Sequence, residues 1–195
     1  MTRTIRPWFS ALSGLLLLLV LTPGPAAAAA AKAPPELKAR LSEALAGQGG
    51  FQDRFDAEVW LTDMAQRLRP WLPEPERRLD LLRRIHAEAH RAELSPELVL
   101  AVIQVESAFD RFAISEAGAR GLMQVMPFWL EEVGKPDENL FRVGTNLRMG
   151  CTILRYYLDK ESGNLTRALA RYNGSLGSHV YPYKVLEALR KRWRR

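Results

Sequence analysis

The residue best placed to do acid–base chemistry is Glu106, which ends an almost uniformly apolar segment. Residues 98–107 read Leu-Val-Leu-Ala-Val-Ile-Gln-Val-Glu-Ser, and a helix that is apolar on nearly every face belongs in the middle of a domain. Burial disfavours an ionised carboxylate, and so does the negative partial charge at the C-terminal end of a helix. Both effects predict a raised pKa, which a general acid near neutral pH requires. A glutamate that points into water at a frayed helix end is the competing interpretation.

A segment with two glycines follows this helix. Residues 115–127 read Ser-Glu-Ala-Gly-Ala-Arg-Gly-Leu-Met-Gln-Val-Met-Pro, and Gly118 and Gly121 permit a tight backbone path. Gln124 and Met126 come next at alternate positions. An amide that both donates and accepts hydrogen bonds, beside a soft apolar side chain, suits an N-acetylated sugar. A turn with a buried methionine pair that leads into a helix accounts for the same residues.

Three blocks of the sequence together resemble one enzyme family. They are Glu106-Ser107 with Ser115 after it, residues 118–127 (Gly-Ala-Arg-Gly-Leu-Met-Gln-Val-Met-Pro), and residues 168–173 (Ala-Leu-Ala-Arg-Tyr-Asn). In order and spacing they resemble the soluble lytic transglycosylases, which are related to goose-type lysozymes. The resemblance covers about residues 80–190. One departure is Tyr172-Asn173-Gly174-Ser175, where the family commonly has Tyr-Asn-Ala-Gly.

The resemblance implies an all-α, lysozyme-like domain with a groove for a glycan strand. Glu106 would be the sole catalytic acid and base. The substrate-binding residues would be Ser115, Gln124, Met126, Tyr172 and Asn173. The substrate would be peptidoglycan, cut between N-acetylmuramic acid and N-acetylglucosamine to leave a 1,6-anhydro ring.

Most glycosidases use two carboxylates. The nearest other carboxylates that follow Glu106 in the sequence are Asp110 and Glu116. Neither falls at a catalytic position of the family, and both are interpreted as exposed charges. In a transglycosylase the substrate itself replaces the second carboxylate, through its acetamido oxygen and its C6 hydroxyl. The resemblance implies that the Tyr172 hydroxyl would orient the acetamido group or Glu106. Two alternatives stay open, namely a hydrolytic muramidase and a non-catalytic module that binds the cell wall.

The elements that must hold these residues are all predicted to be helices. Apolar residues at spacings of three and four predict helices over residues 51–68, 76–93 and 146–160. In the first of these helices the predicted apolar face consists of Phe55, Val59, Leu61 and Met64. Ser95-Pro96-Glu97 is typical of a helix start, Asn164 is a candidate cap for the next helix, and Pro182 can open the last. We therefore expect residues 51–75 to form a helical extension of a domain over residues 76–195.

The N-terminus has the pattern of an export signal. Arg3 and Arg6 precede an uncharged stretch whose apolar run, residues 11–21, is too short to span a bilayer, and residues 26–31 are all alanine. We predict a signal peptide over residues 1–31 and a linker over residues 32–50. This predicts a periplasmic protein, with an uncleaved membrane anchor as the alternative. The single Cys151 is expected to be buried and inert.

Several other functions find little support in the sequence. The 195 residues carry 28 Lys and Arg against 22 Asp and Glu, a net charge of +6, which suits an anionic polymer or surface without identifying one. His86 and His90 are four apart but lack the glutamate position of a metalloprotease, so no metal and no cofactor is expected. No Gly-x-Ser-x-Gly motif occurs, and an exported chain would rarely meet nucleic acid. The basic end, residues 190–195, could contact an anionic wall or membrane surface, and we expect a monomer.

Overall fold

The described part of the chain is helical. The computed structural model describes residues 35–36, 38–40 and 54–194. Its helices are α1 (Arg54–Leu68), α2 (Pro75–Arg91), α3 (Pro96–Ser107), α4 (Phe128–Glu132), α5 (Val143–Lys160), α6 (Leu165–Tyr172) and α7 (Val180–Ala188), followed by a π-helical turn, Leu189–Trp193. Within these ranges the only β pairing is two isolated bridges. This confirms the all-α class. The predicted signal peptide lies outside the described residues, and so does most of the linker, although residues 35–36 and 38–40 are helical.

Helix α3 lies at the centre of the core, as its sequence predicts. All six residues from Leu98 to Ile103 are buried, and the helix packs against α2, α7 and the π-helical turn. The Ser95 side chain accepts a hydrogen bond from the Leu98 N–H at 3.4 Å. Pro96 occupies the first helical position, where the N–H that a proline lacks would have no partner within the helix. The central position gives Glu106, at the other end of this helix, a rigid support.

Helices α5 and α6 pack together, and the predicted burial of Cys151 and the predicted cap Asn164 are confirmed. Leu147, Cys151 and Leu154 are fully buried on one face of α5. The Asn164 side chain caps α6 by accepting a hydrogen bond from the Arg167 N–H at 3.1 Å. A buried ion pair joins α5 to α2, because Glu88 binds Arg148 at 2.6 Å and Arg91 of its own helix at 2.7 Å.

Two sequence-based expectations about the elements need correction. The buried face of α1 consists of Trp60, Met64 and Leu68, whereas Val59, expected on that face, is 50% exposed. The last helix begins at Val180 and not at Pro182, which a proline permits because the first-turn N–H groups have no partner within a helix. No helix among the described residues is long and apolar enough to cross a membrane.

Candidate active site

Glu106 lies in the last turn of α3, where the backbone turns sharply. The next two residues after Ser107, Ala108 and Phe109, have φ angles of 48° and 67°, a left-handed conformation that costs free energy in residues other than glycine. The Ser107 hydroxyl lies 2.8 Å from the Leu122 carbonyl oxygen and 3.2 Å from that of Ile103. The turn therefore holds the acid at a fixed end of the helix and ties that end to the loop that follows.

The environment of Glu106 favours its protonated form. Burial raises the pKa of the carboxyl from 4.5 to about 7, and a hydrogen bond from Tyr181 opposes this by stabilising the ionised form. The Tyr181 hydroxyl donates to Glu106 Oε1 at 2.6 Å. Burial, followed by the charge of Glu106, raises the pKa of Tyr181 well above its ordinary value, so this phenol remains a donor. A carboxyl group with a pKa near 7 can both give and take a proton at neutral pH.

A buried asparagine organises the loop of residues 108–127. Asn146 of α5 is 1% exposed. Its Oδ1 accepts from the Met123 N–H at 2.8 Å, and its Nδ2 donates to the carbonyl oxygens of Arg120 at 2.8 Å and Leu140 at 3.0 Å. Gly121 lies against it with φ of +75°, and a Cβ there would approach Asn146 Nδ2 to 2.5 Å. The glycine is therefore required both by the backbone angle and by the close approach of the asparagine.

Gln124, Ser115 and Met126 are part of this same loop. The Gln124 amide nitrogen donates to the carbonyl oxygens of Gly121 at 2.9 Å and Ala113 at 3.1 Å, so both amide hydrogens hold the loop and only the oxygen is left to accept. The exposed Ser115 hydroxyl oxygen accepts from the Ala119 N–H at 3.1 Å. Met126 is partly buried and packs against the core.

The Tyr172 hydroxyl binds the backbone of the loop. It donates to the Met123 carbonyl oxygen at 2.7 Å and not to Glu106, one of the two expected partners, while the contact with the substrate's acetamido group stays a prediction. Burial and then the charge of Glu106 raise the pKa of Tyr172 well above its ordinary value, which indicates that the phenol is near the acid. Tyr172 joins α6 to the loop, and Tyr181 makes the contact with the carboxylate.

A cavity of ≈ 300 Å³ opens beside Glu106. It is lined by Val105, Glu106, Asn173, Ser175, Ser178, Val180, Tyr181 and Lys184. The cavity brings Glu106 together with one other predicted residue, Asn173, while Ser115, Gln124, Met126 and Tyr172 do not line it. The Ser175 Oγ is buried and has no hydrogen-bond partner among the described residues. Ser175 lies where the sequence departs from the family pattern, so this position shapes the cavity wall.

Glu106 is the only carboxyl group among the described residues that line this cavity. Asp110 and Glu116 are exposed, as expected, and Asp110 caps the following turn by accepting from the Phe112 N–H at 2.8 Å. Within the described ranges no three His, Cys, Asp or Glu residues are placed to hold a metal ion. His86 and His90 are the two histidines that the sequence places four residues apart. Burial and, to a smaller extent, the charge of His90 lower the pKa of His86 to about 4.

Tyr181 is the site residue that the sequence did not reveal. It is separated from Glu106 by 75 positions and stands in no block of the recognised pattern. A weak signal exists, since Tyr181 precedes the fully buried Val185 by four residues and so shares its helix face. A buried tyrosine usually finds a hydrogen-bond partner, but the sequence does not say which.

Comparison with known proteins identifies the family. The sequence model of the Transglycosylase SLT domain family matches residues 83–184, a range that includes Glu106, Gln124, Tyr172 and Tyr181. The chain therefore belongs to the transglycosylase SLT domain family. This confirms the resemblance seen in the three sequence blocks.

Two curated relatives extend the comparison. The chain is 33% identical over 110 residues to a transglycosylase of Enterobacteria phage PRD1, over 53% of this chain and 40% of the relative. It is 30% identical over 119 residues to the membrane-bound lytic murein transglycosylase C of Actinobacillus pleuropneumoniae, over 52% of this chain and 33% of the relative. The matched region thus spans less than half of either relative.

Among solved structures, the chain is similar to an inactive variant of the lytic transglycosylase Slt from Pseudomonas aeruginosa. The sequences are 32% identical, and the match covers 46% of this chain and 16% of that chain, with a TM-score of 0.41.

Proposed function

We propose that this protein is a lytic transglycosylase of peptidoglycan. It would cleave the β-1,4 bond between N-acetylmuramic acid and N-acetylglucosamine without water and leave a 1,6-anhydromuramyl end. The observation that carries the proposal is Glu106, a partly buried carboxyl with a pKa of about 7, which is the only carboxyl among the described residues that line the ≈ 300 Å³ cavity. Membership of the transglycosylase SLT domain family and the names of the relatives support the same activity.

In the first step the protonated Glu106 donates its proton to the glycosidic oxygen. The bond between C1 of the muramic residue and that oxygen breaks, and the leaving N-acetylglucosamine keeps the proton as its C4 hydroxyl. The acetamido oxygen of the muramic residue stabilises the positive charge that develops at C1. The raised pKa matters here because it keeps a fraction of the acid protonated near pH 7.

In the second step the same carboxyl acts as a base. Glu106, now ionised, removes the proton of the muramic C6 hydroxyl while O6 attacks the positively charged C1 and forms the C1–O6 bond. The ring closes, and Glu106 is again protonated and ready for the next cycle. Protons balance within the substrate, so neither a second carboxylate nor a water molecule is consumed.

Tyr181 has a positioning role in this scheme. Its hydroxyl donates to Glu106 Oε1 at 2.6 Å, so it orients the carboxyl and stabilises the ionised form that exists between the two steps. Burial acts in the opposite direction. The balance of the two keeps the pKa close to the pH at which both proton transfers must occur.

The remaining site residues divide into two groups. Asn173 lines the cavity directly, so its amide would bind the sugar. Ser115, Gln124 and Met126 would bind the strand along the loop, with the Gln124 oxygen as the free acceptor. Tyr172 would bind the sugar as well, and its hydroxyl holds the loop through the Met123 carbonyl oxygen.

The test is a digest of purified peptidoglycan followed by mass spectrometry. Anhydro products are lighter by one water molecule than the corresponding hydrolysed muropeptides, and we expect only anhydro ends. Hydrolysed ends would identify a muramidase instead, and binding without soluble products would identify a wall-binding module. The Glu106→Gln variant provides the matched control, since it keeps the shape of the acid and removes the proton.

We also propose that the protein is exported and acts as a monomer in the periplasm. Residues 1–31 would be removed as a signal peptide, residues 32–50 would form a linker, and the extension (residues 51–75) and the domain (residues 76–195) would follow. The basic end supports a contact with an anionic wall or membrane surface, because Arg190, Lys191 and Arg194 are exposed. Cell fractionation with N-terminal sequencing of the mature protein tests the export, and sedimentation tests the monomer.

A further inference from the structure

Two large apolar side chains are exposed on the loop between α3 and α4. Phe112 is 63% exposed and Ile114 is 65% exposed. Neither lines the cavity at Glu106, and the mechanism described above uses neither. The Phe112 ring lies 6.0 Å from that of Phe141, which is partly exposed in the segment that leads into α5. Apolar side chains that cluster at the surface of a folded domain indicate a binding surface.

Arginines border the same apolar side chains. The Arg111 guanidinium lies 4.7 Å from the centre of the Phe112 ring, and the Arg120 guanidinium lies 6.0 Å from the centre of the Phe141 ring, distances at which a cation is attracted to an aromatic ring. Arg111 also donates to the Phe141 carbonyl oxygen at 3.0 Å, and the backbones of Ile114 and Arg120 form a β-bridge. These contacts join the five residues into one surface, which we call the arginine–phenylalanine patch.

The charge around the patch is positive and unpaired. Arg111 and Arg120 are exposed, and Arg142, the N-terminal cap residue of α5, adds a third exposed guanidinium. None of the three has an ion-pair partner among the described residues. The carboxylates of the same loop are Asp110 and Glu116, so three arginines stand against two acids, a formal net charge of +1. Guanidinium groups without a partner are free to bind an anion, and phosphate suits them well.

We infer that the arginine–phenylalanine patch binds the surface of an anionic phospholipid bilayer. The phenylalanine and isoleucine side chains enter the boundary between head groups and acyl chains, and the guanidinium groups bind the lipid phosphates. A bilayer fits because it has an anionic layer directly above an apolar one, and the patch presents cations directly beside its apolar groups. A glycan fits less well, because it needs hydrogen-bond donors and acceptors that phenylalanine and isoleucine side chains lack.

This contact is independent of the cleavage reaction and holds the domain at a membrane. It also differs from the contact proposed for the basic end, residues 190–195, because it includes apolar side chains. Salt weakens a purely electrostatic contact by screening, whereas the insertion of apolar side chains persists. Binding through the patch should therefore fall with added salt but not disappear.

The experiment measures co-sedimentation with vesicles of phosphatidylglycerol and phosphatidylethanolamine. The protein and its variants are purified after export, so that all have the same N-terminus. We expect Phe112→Ser/Ile114→Ser to bind the vesicles about tenfold more weakly, since two apolar side chains no longer leave water. Arg111→Gln/Arg120→Gln should also bind about tenfold more weakly, and only to vesicles that contain the anionic lipid. Val59→Ser, which removes a 50% exposed apolar side chain from α1, is the matched control and should bind as the wild type does.

A fluorescent label measures insertion directly. Phe112→Cys and Val59→Cys each add one exposed thiol, while the native Cys151 is buried. An environment-sensitive dye on residue 112 should shift its emission to the blue when anionic vesicles are added, and the same dye on residue 59 should not. Equal shifts at the two positions would overturn the inference.

Other outcomes of the sedimentation experiment also overturn the inference. Failure of the wild-type protein to bind the vesicles, or equal binding by Phe112→Ser/Ile114→Ser, would show that the patch binds no lipid. A loss that appears only in Arg190→Ala/Lys191→Ala would assign the membrane contact to the basic end. If the patch variants lose binding to purified peptidoglycan and keep binding to vesicles, the patch binds the wall. If they instead convert a dimer into a monomer, the patch is a contact between two copies of the chain.

Discussion

Replacing Glu106 by glutamine is predicted to abolish activity and to stabilise the protein at alkaline pH. The pKa of this carboxyl is raised above its ordinary value by burial, so its contribution to stability is fully present below pH 4.5 and is lost as the pH rises through about 7. A glutamine has the same shape, can still accept the hydrogen bond from Tyr181, and never ionises. The variant therefore avoids the cost of holding a charge in this cavity.

The size of the effect follows from the pKa. A rise from 4.5 to about 7, at about 1.4 kcal/mol per pKa unit, corresponds to roughly 3 kcal/mol. Glu106 keeps partial contact with solvent, which screens the charge and reduces the figure. We expect Glu106→Gln to be more stable than the wild type by about 1–3 kcal/mol at pH 8 and equally stable at pH 4.

Urea unfolding of both proteins at the two pH values measures this difference. Groups that titrate in both proteins cancel in the comparison, so the change in ΔΔG with pH reports on Glu106. Glu116→Gln, the same substitution at an exposed residue, should stay within about 0.5 kcal/mol of the wild type. A ΔΔG for Glu106→Gln that is the same at pH 4 and pH 8 would refute the buried-acid argument, and so would substantial release of anhydro products by the variant.

Three further predictions follow from the site and the core. Tyr181→Phe removes the hydrogen bond that stabilises ionised Glu106, so the alkaline limb of the pH–rate profile should move upwards by about one pH unit and kcat should fall about tenfold. Tyr172→Phe removes a hydroxyl that binds a backbone carbonyl, so it should leave the alkaline limb of the pH–rate profile in place. If the alkaline limb stays in place in Tyr181→Phe as well, the role of Tyr181 is contradicted. Gly121→Ala should lower the free energy of unfolding by at least about 2 kcal/mol, because the new Cβ meets a buried side-chain amide; an unchanged Tm would count against this. Burial raises the pKa of the Cys151 thiol, so a thiol reagent should modify it only after unfolding, and rapid labelling of the native protein would show the opposite.

The sequence predicts most of the helices because their signals are local. The apolar run over residues 98–107 predicts a central helix, and the structure buries six consecutive residues of it. Ser95 and Asn164 are predicted and observed as helix caps because a cap depends only on the next three residues. In helix α1 the predicted face was right for Met64 and wrong for Val59, since Val59 and Trp60 are both apolar and only tertiary packing decides which one faces the core.

The site was predicted less completely because it depends on distant contacts. The position of Glu106 at the end of a buried helix predicts a raised pKa, with which the structure agrees, and the family resemblance of the surrounding blocks singled it out as the acid. The contact with Tyr181 could not be found, because the two residues are 75 positions apart. The role of Gln124 was also incomplete, since a sequence does not show that its amide hydrogens are used inside the loop.

The distance along the chain between Glu106 and Tyr181 matters for anyone who shortens this protein. A fragment cut after residue 173 would keep all three sequence blocks by which the family is recognised. It would lose the phenol that touches the acid and the part of the cavity wall that α7 supplies. Minimal versions made for expression or engineering should therefore be defined by this contact and not by the blocks alone.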